Sequence, residues 1–148
     1  MAAIPYWSIR EEIAEILRAN LTGITIEIEK ELEFGIDQSP WVGIYLERRE
    51  APADQQPIAA GRVTRMFLEI HIWVFVHAFD LDLGIKGRDE LIGKIELILM
   101  ANRLLNETVD SCWLDGGELI SGQREEEKDF LASGQIVLRM EVSARVTD

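Results

Sequence analysis

The longest regular pattern in the chain is the stretch Arg62–Phe79, which contains neither Gly nor Pro. Successive residues of a strand point to opposite faces, so its alternation predicts a long strand with two different faces. The even positions are apolar from Met66 onward, and the odd positions interleave aromatic, charged and imidazole groups. At ~3.3 Å per residue such a strand would span roughly 60 Å, so we expect it to bend or to reach a neighbouring chain.

Two segments have apolar residues at helical spacing. The first is Ile9–Asn20, where Ser8 and Glu11 have the spacing of a capping box. The second is Arg88–Asn106, whose apolar stripe is broad enough to suggest burial on more than one side. Gly93 lies inside this second helix, where it costs ~1 kcal/mol relative to Ala, so we expect it to pack closely against the sheet.

Shorter alternating segments predict further strands, and Gly, Pro, Asp and Ser clusters predict the turns between them. The predicted strands are Ile24–Phe34, Trp41–Glu50, part of Glu118–Phe130, and Gln135–Val146; the predicted turns are Gly35–Pro40, Asp80–Gly87 and Ala132–Gly134, and Thr108–Gly117 is expected to be irregular. The sequence therefore predicts a single α+β domain over residues 1–148. We expect a mixed or antiparallel sheet of about five strands with two helices packed on one face.

Composition narrows the possible classes of protein. A chain of 148 residues with 47% apolar and 28% charged residues is typical of one globular domain. The net charge of −12 argues against an extended nucleic-acid footprint, since phosphate binding depends on Lys and Arg. The single cysteine excludes an intrachain disulfide, and no uncharged apolar run approaches the ~20 residues of a membrane span. Without a secretory signal at its start, the chain is expected to be soluble and cytoplasmic.

No reactive constellation is apparent, so we expect no catalysis, no metal and no cofactor. His71 and His77 would share a strand face but lie roughly 20 Å apart, too far to bind one metal ion. Cys112 has no histidine nearby in the sequence, and the acidic run from Glu125 to Asp129 lacks the spacing of a calcium loop. Glycine-rich phosphate loops and nucleophile elbows are also absent.

The composition of the odd face of the long strand indicates a contact surface, because exposed aromatic patches mixed with charges are typical of interfaces. The loop Ala51–Gly61 is long for a hairpin and is a second contact element, or else an idle surface loop. An alternative is that this loop or the later strands of the chain cover the odd face. The predicted interface residues are Phe67, Glu69, His71, Trp73 and Phe75 of the long strand, Pro52, Gln55, Gln56 and Pro57 of the loop, and Arg139 and Arg145 of the last strand.

The layout resembles the tail-terminator proteins of long-tailed bacteriophages, the family of the lambda tail terminator. The resemblance covers nearly the whole chain and rests on layout and residue type rather than on an invariant motif. It includes the helix Ser8–Asn20, the strand entry SPWVGIYLE, a Pro/Ala-rich loop, the long strand RVTRMFLEIHIWVFV, the helix RDELIGKI, an acidic stretch, and the terminal strand SGQIVLRMEVSARV.

The resemblance implies a structural protein of the virion, assembled in the host cytoplasm. About six copies would form a ring that docks on the end of the tail tube, stops the addition of tube protein and joins the tail to the neck or head–tail connector. DNA would pass through the channel without specific binding. The alternatives are another neck or tail subunit, such as a head–tail joining or tube protein, and a small-ligand module or enzyme with a pocket between sheet and helices.

Overall fold

A computed structural model describes residues 3–30, 40–52, 63–123 and 130–145, which form helices on a mixed sheet. The predicted α+β class is confirmed. The described part of the chain has six strands rather than about five, because the segment expected to be irregular contains a short strand. In chain order the elements are α1 (Tyr6–Asn20), β1 (Thr25–Ile28), β2 (Trp41–Glu50), β3 (Val63–Ala78), α2 (Leu81–Ala101), β4 (Ser111–Leu114), β5 (Leu119–Gln123) and β6 (Phe130–Arg145).

The centre of the sheet is the antiparallel pair β3–β6. Each strand is 16 residues long, and they pair without a shift from Val63 opposite Arg145 to Ala78 opposite Phe130. On one side β2 pairs antiparallel with β3 and parallel with β1. On the other side β4 and β5 both pair antiparallel with β6. The predicted long strand Arg62–Phe79 is thus confirmed to within one residue at each end.

The even positions of β3 form the core, as their pattern predicts. Ile70, Ile72 and Val74 are fully buried, and both helices pack on this face of the sheet. Burying one such aliphatic side chain contributes roughly 1.5–3 kcal/mol, so this row is a major source of stability. The helical members of the same core cluster are Ile9, Ile13 and Leu17 of α1 and Leu91, Ile95 and Leu99 of α2.

Both helices begin earlier than their sequence patterns suggest. α1 begins at Tyr6 after Pro5, and its N-terminus has no side-chain cap, so the predicted capping box at Ser8 is wrong. Asp80 caps α2, its Oδ1 accepting a hydrogen bond of 2.8 Å from the Asp82 amide. The predicted turn Asp80–Gly87 is therefore helical, because the cap outweighs the helix-breaking tendency of its glycines.

The close approach of α2 to the sheet occurs at Gly87 rather than at Gly93. A Cβ atom on Gly87 would lie 3.2 Å from Val76 Cγ1, whereas one on Gly93 would meet no atom within 4 Å. The expectation that Gly93 packs against the sheet is wrong. α2 also ends at Ala101, before the predicted Asn106.

The predicted turn Ala132–Gly134 is wrong, because these residues continue β6. Ser133 pairs with Phe75 and Gly134 with Val74. Small residues are needed here since a Cβ on Gly134 would lie 2.4 Å from Ile92 Cδ1 of the overlying helix. The small residues that suggested a turn are present because the overlying helix leaves no room for larger side chains.

β1 is shorter than its pattern suggests. The strand ends at Ile28, and Glu29 has a φ of +51°, which lies outside the extended region. The rest of the predicted strand beyond Lys30, most of the predicted turn up to Pro40, and most of the predicted loop after Pro52 lie outside the described residues.

Candidate functional site

The side of the sheet opposite the helices, which we call the open face, carries the odd positions of β3. The strand pairing places them in rows with residues of β2 and β6, so the face extends across the sheet. Neither described helix lies on it. Its residues include Trp41, Gly43, Tyr45, Arg48 and Glu50 of β2, Phe67, Glu69, His71, Trp73 and Phe75 of β3, Trp113 of β4, and Ser133, Gln135, Val137, Arg139 and Glu141 of β6.

A β-bulge brings two charged residues of β2 onto the open face. Leu46 pairs with Ile70, but Arg48 then pairs with Glu69 because the register shifts between Leu46 and Arg48. With regular pairing Arg48 would lie opposite Leu68 and point toward the core. The bulge thus places Arg48 on the open face, while Arg49 pairs with Leu68 and lies on the helical side, its guanidinium 5.6 Å from the Tyr6 ring centroid.

One end of the open face is an aromatic cluster that largely buries itself. Trp41 and Phe75 have ring centroids 5.4 Å apart, and Trp73 stacks on Phe75 at 6.1 Å. Gly43 makes room for the cluster, since a Cβ there would lie 2.4 Å from Trp41 Cη2. As a result Phe75 is only 7% exposed and Trp73 is half-buried. Two of the predicted interface aromatics therefore pack mainly within their own chain.

A charged and polar network occupies the middle of the open face. Glu69 Oε1 lies 2.7 Å from Arg139 Nη2, and Glu69 Oε2 lies 2.8 Å from His71 Nε2. The same Arg139 donates from Nε to Asp115 Oδ2 at 2.5 Å. These carboxylates raise the pKa of Arg139, the hydrogen bond to Asp115 being the largest cause. Three predicted site residues are thus joined in one network.

The other end of the open face contains a pocket of about 190 Å³ with aromatic walls and a charged rim. Phe67 is 37% exposed and Trp113 is 39% exposed, so each offers apolar surface to a contacting molecule. The charged residues of its lining are Arg48, Glu50, Glu69 and Arg139. The predictions include Phe67, Glu69 and Arg139, but omit Arg48, Glu50 and Trp113.

None of the remaining predicted interface residues has a described side chain in the lining of this pocket. Pro52 is half-buried just beyond the end of β2. The backbone of Arg145 pairs with Val63 at the end of the sheet, and its side chain lies outside the described part of the structure. Gln55, Gln56 and Pro57 lie outside the described residues.

At the β1 edge, Tyr45 donates a hydrogen bond of 2.5 Å to the carbonyl of Lys30. Burial is the largest cause of its raised pKa, about 12 against the ordinary 10.0. The nearby carboxylates of Glu29, Glu27 and Glu47 act in the same direction. The phenol therefore stays neutral and serves as a donor at physiological pH.

Within the described ranges, no three His, Cys, Asp or Glu side chains are grouped to hold a metal ion. Cys112 is fully buried, and burial raises the pKa of its thiol despite the opposing effect of Arg103. A neutral buried thiol is a poor nucleophile, so it serves as a small apolar core residue.

Comparison with protein-family models and with curated protein sequences finds no match for the chain. Among the described residues, no helix has the length and apolar character needed to cross a membrane.

Proposed function

We propose that the chain is a structural subunit whose open face binds another protein chain. The observation that carries the proposal is that the exposed side chains of Phe67 and Trp113 line the same pocket, on a sheet face that neither described helix covers. Exposed aromatic side chains beside charged groups are typical of protein interfaces. Function is therefore assigned to contact rather than to catalysis.

The charges around this pocket suit a surface that becomes buried on assembly. Glu69 already binds Arg139 and His71, and Arg48 lies 3.3 Å from Glu50. A charge that is paired before docking loses less solvation energy than an unpaired one. A volume of about 190 Å³ is below the roughly 300–1,000 Å³ of small-molecule sites and corresponds to one or a few side chains of a partner.

A second exposed apolar surface lies on the helical layer. Leu97 of α2 is 73% exposed, and Met100 and Leu104 are exposed nearby. A chain with two unlike contact surfaces on opposite layers can associate head to tail, and such contacts form a closed ring when the rotation closes. This arrangement supports assembly into a ring rather than into a simple symmetric pair.

Within this class, the proposed role is that of a tail terminator. The resemblance described above implies a ring of about six copies that caps the tail tube, ends its polymerisation and provides the surface for the neck or connector protein. The net charge of −12 agrees with a channel through which DNA passes without adhering. The protein would belong to the virion and assemble in the host cytoplasm. Another neck or tail subunit of the same fold is the second candidate, since the open face supports both.

The test is to produce particles with and without the protein and to measure tail length by electron microscopy. Complementation would use wild type, the double variant Phe67→Asp with Trp113→Ser, and the control Trp7→Ser. Trp7 is an exposed aromatic of α1 that belongs neither to the open face nor to the surface formed by Leu97, Met100 and Leu104, so it controls for the loss of a surface ring.

Without the protein, we expect tails of uncontrolled length that wild type and the Trp7 variant correct and the double variant does not. Tails of normal length that fail to join heads would identify a neck subunit instead. Normal particles in its absence would exclude both roles. The double variant must retain the wild-type circular dichroism spectrum for its failure to count against the surface.

A further inference from the structure

Three hydrogen bonds link the centre of the open face to the edge of the sheet. His71 Nε2 lies 2.8 Å from Glu69 Oε2, and His71 Nδ1 lies 2.9 Å from Gln135 Nε2. The other end of the same amide, Gln135 Oε1, accepts a hydrogen bond of 3.4 Å from the backbone N–H of Glu118. Gln135 therefore connects an imidazole to the backbone between β4 and β5.

The bonding partners determine which nitrogen of His71 carries the proton in the neutral form. An ionised carboxylate only accepts hydrogen bonds, so Nε2 must be the donor to Glu69. Nδ1 is then an acceptor and requires the N–H₂ end of Gln135. That requirement turns the amide oxygen of Gln135 toward Glu118, as observed.

We propose that protonation of His71 rotates the side-chain amide of Gln135 by half a turn and breaks its hydrogen bond with the backbone N–H of Glu118. This loss makes the β4–β5 edge sensitive to acid. Protonated imidazole donates from both nitrogens, and only the oxygen of Gln135 can accept from Nδ1. The amide must then rotate, and its N–H₂ group faces the N–H of Glu118. Two donors cannot bond each other, so the Glu118 amide loses its acceptor.

The segment that loses this bond joins the two edge strands. Gly116 and Gly117 have φ values of +80° and +149°, and a Cβ on Gly117 would lie 1.7 Å from the carbonyl oxygen of Gln135. The Glu118 carbonyl still accepts from the Gln135 amide at 2.8 Å, and the Val137 amide still donates to Gly116 at 2.7 Å. Acid therefore loosens the edge locally and leaves the sheet intact.

Charged groups lie close to His71. Glu69 lies directly against the ring, and its second oxygen binds Arg139. An ordinary histidine changes charge between about pH 5 and 8, so pH 8 and pH 5 are the two conditions to compare. The titratable and charged groups that face this part of the sheet are Tyr45 of β2 with Glu27 and Glu29 at the β1 edge, Glu47, Arg48 and Glu50 of β2, Glu69 of β3, Asp115 and Glu118 of the β4–β5 connection, and Arg139 of β6.

The experiment measures amide hydrogen exchange by NMR on the ¹⁵N-labelled full chain at pH 8 and pH 5, corrected for intrinsic exchange. The amides of Gln135 and Val137 are internal references. The variants are His71→Gln, which keeps an acceptor for Gln135 and a donor for Glu69 but cannot titrate, and His77→Gln, which changes the only other histidine. A third variant is Gln135→Glu, whose carboxylate accepts from both His71 and Glu118.

For wild type and His77→Gln, we expect the exchange of Glu118 relative to the references to rise about two- to tenfold at pH 5. His71→Gln and Gln135→Glu should abolish this rise, and His71 should carry its proton on Nε2 at pH 8. An equal rise in His71→Gln, no rise in wild type, or an Nδ1–H tautomer would each overturn the proposal. None of these results depends on ring assembly or on tail length.

Discussion

Glu69 and Arg139 lie directly opposite each other across the central β3–β6 pair, with Glu69 Oε1 2.7 Å from Arg139 Nη2. Because Arg139 also binds Asp115 next to β4, one guanidinium connects three segments of the sheet. The contact separates the self-packed aromatic end of the open face from the exposed pocket. It thereby holds the pocket wall in place before any partner binds.

Reversing one charge of this pair should destabilise the fold, and reversing both should restore part of the loss. Glu69→Arg places two cations together, and Arg139→Glu adds a carboxylate beside Glu69 and Asp115. We expect a lower urea midpoint for each single variant and a recovery in the double variant, because contacting residues couple energetically. Additive losses would show that the two side chains do not interact in solution.

Truncation of a core side chain of β3 and of an exposed side chain of α2 should change the free energy of unfolding by very different amounts. Ile70 is fully buried, so Ile70→Ala should lower the free energy of unfolding by about 2–5 kcal/mol. Leu97→Ala, at an exposed site, should change it by no more than about 0.5 kcal/mol. Chemical denaturation of the purified variants measures both values, and comparable losses would contradict the assignment of the two faces.

Two glycine substitutions should change the free energy of unfolding in opposite directions. Gly117→Ala should lower the free energy of unfolding by about 3 kcal/mol or more, since the new Cβ would overlap the Gln135 carbonyl. Gly93→Ala should raise it by about 0.5–1 kcal/mol, because the site is open and alanine favours a helix. Thermal unfolding followed by circular dichroism gives the two signs, and a stable Gly117→Ala protein would argue against the observed close contact.

Tyr45 should make the fold sensitive to strong base. Its pKa is about 12 in the folded chain, against 10.0 for an ordinary tyrosine. Between these values the unfolded chain binds fewer protons, so the free energy of unfolding falls as the pH rises from about 10 to 12. Allowing for partial solvent access, the loss should be about 1 kcal/mol. Denaturation curves at several pH values should show this component in wild type and not in Tyr45→Phe.

The parts of the fold that depend on local alternation were predictable from the sequence. β3 carries its core face and its open face on alternate residues over nearly its whole length, so the pattern alone defined it. The prediction of a turn at Ala132–Gly134 was wrong because it ignored tertiary packing: Gly134 is a strand residue that leaves room for Ile92 of the overlying helix. The start of α2 was predicted too late because the cap at Asp80 outweighs the helix-breaking tendency of the glycines that follow it.

The same distinction applies to the candidate site. Phe67, Glu69 and Arg139 were identifiable because they lie on regular strands with a clear alternation. Arg48 was missed because its position depends on the β2 bulge, which only the pairing with β3 reveals. The contribution of Trp113 depends on the pairing of β4 with β6, which the local sequence does not specify. Similarly, the burial of Phe75 requires Trp41 from another strand.

The central claim, that the open face binds a second protein chain, is tested most directly by photocrosslinking from position 67. A benzophenone amino acid would replace Phe67 in one sample and Trp7, 52% exposed on α1, in the control. Both samples would be irradiated in particles that contain the protein, and the adducts identified by mass spectrometry. The account predicts adducts to a second copy or to a tail protein from position 67, and far fewer from position 7. Particles that contain the protein but yield no intermolecular adduct from position 67 would contradict it.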